Sequence, residues 1–173
     1  LGVALLRGVS SAHPKVILSA GETAPDFDLP ALVRGVKKRF HLQDALAGKN
    51  VVLAFYPGNW ESLSARQLVE YQQERPQFAA RNTEIVAISV DSIMNTTEWE
   101  RELGPFDFPL CSDFWPHGEV SQAYGVFLEA GPQAGKSERA IVVVEQGGKI
   151  SFSKVYAQHM PSLAETLEAL RRQ

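Results

Sequence analysis

The residues best suited to chemistry stand in one short segment, Phe55-Tyr56-Pro57-Gly58-Asn59-Trp60-Glu61-Ser62-Leu63-Ser64. It follows the continuous apolar run Val51-Val52-Leu53-Ala54-Phe55 and leads into a helical pattern over residues 61–80. Such a run suits a strand buried on both faces, ended here by Pro57 and Gly58. The segment therefore presents an acid, Glu61, and a hydroxyl, Ser64, where a helix begins. Both residue types favour that position, because the first-turn N–H groups and the positive end of the helix dipole meet side-chain oxygens there. To act as a nucleophile Ser64 would need an adjacent base, since an alcohol keeps its proton at neutral pH. It also lacks the Gly-x-Ser-x-Gly elbow of a hydrolase. The one thiol, Cys111, falls at the end of a short apolar strand over residues 108–111. It reads as a buried, inert cysteine; a redox-sensing role would require exposure and a positive neighbour.

The chain is long enough, at 173 residues, for one domain with a sizeable core. Its net charge of −3 gives no basic excess to attract nucleic acid. No apolar run reaches the length of a membrane span. A single cysteine cannot form an internal disulfide, which points to a reducing compartment, the cytoplasm. The apolar stretch from Leu1 to Leu6 is short for a signal peptide.

The elements that must position the segment follow from pattern. Residues 1–20 show no clear period and read as an N-terminal arm or added strand, leaving residues 21–173 as the domain. Residues 21–29 form a turn feeding a short strand, and 36–42 its hairpin partner, with basic residues that suit a solvated edge. The helix over 61–80 has Leu63, Leu68, Tyr71 and Phe78 as inward positions, and Pro76 should kink or break it. Residues 84–91 are a second buried strand. Asp91-Ser92 caps a helix over 93–103. Residues 118–124 make a turn or two of helix, and 131–135 a loop. Residues 140–144 form a third buried strand, joined through Gly147-Gly148 to a partner at 149–156. Leu163, Leu167 and Leu170 share one face of a closing helix over 160–172. Strand–helix alternation followed by an antiparallel hairpin gives an α/β layered fold with a mixed sheet.

The central segment resembles the active-site loop of peroxiredoxins, the alkyl hydroperoxide reductase/thiol-specific antioxidant (redoxin) family, whose pattern is Pro-x-x-x-Thr/Ser-x-x-Cys. Pro57 stands, Glu61 replaces the Thr/Ser, and Ser64 replaces the peroxidatic cysteine. The likeness extends over residues 21–156. Ala24-Pro25-Asp26-Phe27, Gly48-Lys49 before the Val51 strand, Phe55-Tyr56-Pro57 and Ser89-Val90-Asp91-Ser92 with Trp99 after it are similar to the family's pieces. Phe108-Pro109-Leu110, Ser112-Asp113, Tyr124-Gly125-Val126 and Arg139-Ala140 complete the order. The resemblance implies a thioredoxin-like fold: a mixed central sheet flanked by helices, with an N-terminal hairpin extension.

In that family the helix dipole and an arginine favour a cysteine thiolate, a Thr hydroxyl hydrogen-bonds it, and a proline shields it. Carried over, Pro57 is the shielding proline, Arg139 the arginine, and Gln67 a helix residue supporting the pocket. Serine at 64 has no sulfenic acid cycle to carry turnover. A carboxylate at 61 would repel a thiolate and a leaving oxyanion. Arg139 then serves either as an ion-pair partner, Glu61 among the candidates, or as a retained anion or peroxide site. Two losses in one motif favour a redoxin domain without its peroxidatic thiol, non-catalytic or dependent on a partner. The alternatives are an antioxidant thiol peroxidase in which cysteine was deliberately replaced by Ser64, and a redox sensor built on Cys111. The replacement reading accounts for Ser64 but not for Glu61. No cofactor is implied. The resemblance also implies a homodimer near the active-site loop and a thioredoxin-like or other redox partner. Trp60, Trp99 and Trp115 are core or interface residues.

Other patterns fall away. Residues 130–137 fit a relaxed phosphate loop, but they precede a strand instead of following one. His13, His41, His117 and His159 lack metal-ligand spacing. Asn95-Thr96-Thr97 is a glycosylation sequon of little weight in a chain that reads as intracellular.

Overall fold

A computed structural model describes residues 13–171 of the chain; residues 1–12, which hold the Leu1–Leu6 stretch and most of the expected arm, and residues 172–173 lie outside it. The elements in chain order are β1 (Asp28–Val33), β2 (Val36–His41), α1 (Leu42–Leu46), β3 (Asn50–Phe55), α2 (Ser62–Ala79), β4 (Thr83–Ser89), α3 (Ile93–Leu103), β5 (Leu110–Ser112), α4 (Glu119–Ala123), β6 (Ala140–Val144), β7 (Ile150–Val155) and α5 (Leu163–Arg171). They form a seven-stranded mixed sheet in the order β2-β1-β5-β4-β3-β6-β7. β4 is parallel to β3 and β5, and the other pairings are antiparallel. A parallel pair requires a crossover, and α2 and α3 provide the two that the sheet needs.

The three apolar runs occupy the middle of the sheet for a solvation reason. β3, β4 and β6 are covered on both faces, so neither face of these strands can carry polar side chains at low cost. Val51, Leu53 and Phe55 point with Val142 and Val144 into one layer, closed by Leu42 and Leu46 of α1 and Val120 of α4. Val52 and Ala54 point with Ile141 and Val143 into the other, closed by Leu68 of α2, Trp99 of α3 and Leu167 of α5. β2, with Lys37, Lys38 and Arg39 exposed, is the solvated edge its composition suggested.

Three details differ from expectation. Pro76 does not break α2, which runs on to Ala79; Phe78 is fully buried and packs edge-on to Tyr71 (ring centroids 6.2 Å apart), holding the last turn on the sheet. Leu63 is half-buried, and the inward positions of the first turns are Ser64, Gln67 and Leu68. The five-residue α1 escaped the periodicity, since it offers a single i, i+4 pair, Leu42 and Leu46. Of the expected arm, residues 13–20 form no regular element. Leu18 N–H donates to the Tyr124 carbonyl (3.1 Å) and Ser153 Oγ to the Leu18 carbonyl (2.5 Å). This segment crosses so close to Gly125 that a Cβ there would lie 1.9 Å from the Val16 carbonyl oxygen.

The loop after β3 is seated on α3. Trp99 is buried and stacks on Tyr56 with centroids 5.9 Å apart, and Tyr56 Oη donates to Asn59 Oδ1 (2.8 Å). Trp99→Ala should therefore cost about 3–5 kcal/mol in urea unfolding; a loss under about 1 kcal/mol would show that this stack does not hold the layer.

Candidate functional site

The site is assembled where the carboxyl end of β3 and the amino end of β6 meet the start of α2. After Tyr56 the chain turns through Pro57 and Gly58, and Asn59 anchors it. Asn59 N–H donates to Asp91 Oδ2 (2.8 Å), and its side-chain amide donates to Asn95 Oδ1 (2.8 Å) and Thr96 Oγ1 (3.0 Å). Trp60 takes a left-handed backbone (φ 66°), an uncommon conformation for a bulky residue. That turn delivers Glu61 in extended conformation as the N-cap of α2.

Glu61 is the hub. One carboxylate oxygen accepts from Leu63 N–H (3.1 Å); the other accepts from Ser64 N–H (2.7 Å), Ser64 Oγ–H and an Arg139 terminal nitrogen (2.7 Å). Four donors on one carboxylate at a helix N-terminus is a strong anion site. Partial burial alone pushes the Glu61 carboxyl up. The hydrogen bonds from Ser64 and Arg139 outweigh that and hold it below its ordinary value.

Arg139 immediately precedes β6 and shares its parity with Ile141 and Val143, so its side chain lies on the α2 face of the sheet. It is 5% exposed. Besides Glu61, the guanidinium donates to Gln67 Oε1 (2.8 Å) and Ser64 Oγ (3.1 Å). Gln67 in turn donates from Nε2 to Tyr71 Oη (3.1 Å), one helical turn on. The structure thus brings Glu61, Ser64, Gln67 and Arg139 into one network. Tyr71, its inner end, was assigned to the core; only its i+4 spacing from Gln67 could have marked it.

A cleft of about 400 Å³ opens beside the network, with Pro57, Glu61, Leu63, Leu128, Glu138 and Arg139 on its walls. Burial pushes the Glu138 carboxyl up. Neither Leu128 nor Glu138 was identified from the sequence; both lie in the irregular segment before β6, where no period exists to place them. Ser64 is 0% exposed, whereas the Glu61 side chain is 39% exposed. An incoming electrophile meets the carboxylate first and cannot reach the hydroxyl without moving it. Ser64 has its base one hydrogen bond away, yet that base is already weakened by four donors.

Cys111 lies elsewhere. Its side chain points into the layer closed by α1 and α4, on the sheet face opposite α2. Burial, with the charges of Glu84 and Asp113 adding to it, pushes the thiol well above its ordinary value. It has neither the exposure nor the cationic neighbour of a reactive thiol. The tryptophans divide: Trp99 is core, while Trp60 (52%) and Trp115 (69%) are exposed. Among the described residues no group of His, Cys, Asp or Glu is arranged to hold a metal ion, and no helix is long and apolar enough to cross a membrane.

Comparison with known proteins agrees with this fold. The model of the AhpC/TSA family matches residues 20–153. Alkyl hydroperoxide reductase E of Mycobacterium tuberculosis is 39% identical over 140 residues, covering 80% of this chain and 86% of that protein. The selenocysteine-containing peroxiredoxin PrxU of Peptoclostridium acidaminophilum is 34% identical over 145 residues, covering 80% of this chain and 68% of its own length. Among solved structures, the reduced 2-Cys peroxiredoxin of Plasmodium vivax superimposes with a TM-score of 0.81 over 90% of this chain and 96% of that one; at 23% identity it speaks for the thioredoxin-like fold. With a family match across more than half the chain and relatives this similar over most of their length, the protein belongs to the AhpC/TSA family of peroxiredoxins.

Proposed function

We propose that this chain is a peroxiredoxin-like redoxin domain without a peroxidatic thiol, working by binding and not by turnover. The observation that carries the reading is the Glu61 carboxylate bound by Arg139 and the first-turn amides of α2. Peroxide reduction by this family requires a thiolate to attack one peroxide oxygen, forming a sulfenic acid as the O–O bond breaks and the other oxygen leaves with a proton. The dipole and the guanidinium that would favour a thiolate and the departing oxyanion are here neutralised by a fixed carboxylate. The residue at the nucleophile position is a buried alcohol hydrogen-bonded to that same carboxylate.

The binding role is assigned to the rim of the sheet. Loops after β3, β4 and β5 leave at one end because these strands are parallel. These loops, with the first turn of α3, carry exposed Trp60, Met94, Phe114 and Trp115. Large apolar side chains clustered on one rim suit an interface with a second copy of the chain. The retained Pro57 and Arg139 favour the competing reading, a thiol peroxidase in which cysteine was replaced at position 64.

With dithiothreitol as reductant, the protein should consume hydrogen peroxide and tert-butyl hydroperoxide no faster than the reductant alone. Ser64→Cys should give a thiol no more reactive than a free one. Combining it with Glu61→Thr should lower the thiol pKa by about 1–3 units, because a like charge leaves and the arginine is released. Turnover by the unmodified protein would contradict the proposal, and a fast Ser64→Cys single variant would favour the replaced-cysteine reading. In sedimentation, the chain should dimerise and Trp115→Ser should weaken the dimer at least about tenfold, as expected for loss of an aromatic anchor; a monomer at all concentrations would remove the rim from the proposal.

A further inference from the structure

Trp60 stands between two fixed neighbours. On one side, the Asn59 backbone N–H donates to Asp91 Oδ2 (2.8 Å), and the Asn59 side chain bonds Tyr56 and α3. On the other side, Glu61 is held by Arg139 (2.7 Å) and by the first-turn amides of α2. A one-residue link between two anchors cannot choose its own dihedrals. Trp60 takes φ 66°, where the Cβ of an L-residue is crowded. The residue is 52% exposed, so packing of the ring offsets only part of that cost. The turn holds strain that is released when either anchor goes.

Asp91 is the rigid half of the first anchor. β3, β4 and β5 run parallel, so the loops beyond their carboxyl ends lie side by side, and Asp91 meets Asn59 just beyond the end of β4. Ser89 Oγ donates to the same Oδ2 (2.9 Å) and accepts from the Asp91 N–H (3.3 Å). Ser112 Oγ, at the end of β5, donates to the Asp91 carbonyl (2.6 Å). Two strand ends thus hold this carboxylate in place. A Cβ on Gly58 would lie 3.5 Å from Asp91 Oδ2, so the loop backbone passes against it. A backbone N–H bonded to a carboxylate is about twice as strong as a neutral pair.

We propose that Asp91 is a positioning residue for the Glu61–Arg139 pair: by fixing the Asn59 amide, it holds Trp60 in the left-handed turn that delivers Glu61 to the guanidinium. The coupling runs along the backbone from Asn59 to Glu61 and needs no contact between the two carboxylates. It rests on the reading that this pair disables the site, and it adds what keeps the pair formed. The first-turn amides report on it, because they have no intrahelical acceptor and Leu63 N–H and Ser64 N–H both donate to Glu61.

The test combines a ¹³C titration of Glu61 with amide exchange at Leu63 and Ser64 in the full chain. Asp91→Ala should raise the Glu61 pKa toward that of an ordinary glutamate and speed both exchanges at least about tenfold. Asp91→Asn keeps a carbonyl oxygen for the Asn59 N–H and should change little. Adding Trp60→Gly to Asp91→Ala should reverse most of the effect, since glycine takes that φ without strain. Trp60→Ala loses the same ring but keeps the Cβ and should not reverse it. In the unmodified protein the Asn59, Leu63 and Ser64 amides should be protected to within about threefold of one another, because they open together; this comparison stands even if Asp91→Ala fails to fold. A Glu61 indifferent to Asp91→Ala, an effect that Trp60→Gly leaves in place, or Asn59 protection unrelated to that of Leu63 and Ser64 would each overturn the positioning role. Peroxide consumption by the unmodified protein decides the non-catalytic reading separately.

Discussion

The ion pair between Glu61 and Arg139 is the constraint on which the rest of the site depends. Arg139 is nearly buried, so its charge must be compensated inside the protein. Glu61 compensates it from the N-cap of α2, where helix amides already favour an anion. One carboxylate thereby starts the helix, neutralises the guanidinium and accepts the Ser64 hydroxyl. The pair commits the Arg139 guanidinium and two first-turn amides of α2 to an anion of the protein's own.

The scaffold around this pair is that of an AhpC/TSA protein, whose family model matches residues 20–153. This separation is expected physically. The fold rests on two apolar layers and on the contacts of Asn59 and Trp99 that pin the β3–α2 loop, and the side chains at 61 and 64 take part in neither. The chemistry instead rests on charge and nucleophile type at two positions of one turn. Those can change while the core, which supplies most of the folding free energy, stays intact.

Much of the molecule was legible in the sequence because its signals were local. The runs at β3, β4 and β6 identified the sheet centre, Ser92 marked the start of α3, and the basic residues of β2 marked the edge. The pairing of Glu61 with Arg139 stood among the alternatives on charge alone, but choosing it needed the parity of residue 139 on β6 against the α2 face. What escaped were features without a period: the single turn of α1 and the cleft wall at Leu128 and Glu138. Leu63 was misassigned because helical spacing near an N-cap does not say which side of the first turn faces the sheet.

Glu61 also sets the sign of the site's response to acid. Its carboxyl lies below the ordinary value when folded, so its contribution to stability is present above the unfolded value and is lost as pH falls through the folded one. The most direct measurement is a ¹³C NMR titration of the Glu61 side-chain carboxyl in the intact protein and in Arg139→Gln. The ion pair predicts a pKa below that of an ordinary glutamate, rising when the guanidinium is removed. A Glu61 that titrates at or above the ordinary value, and is indifferent to Arg139, would contradict the self-neutralised site.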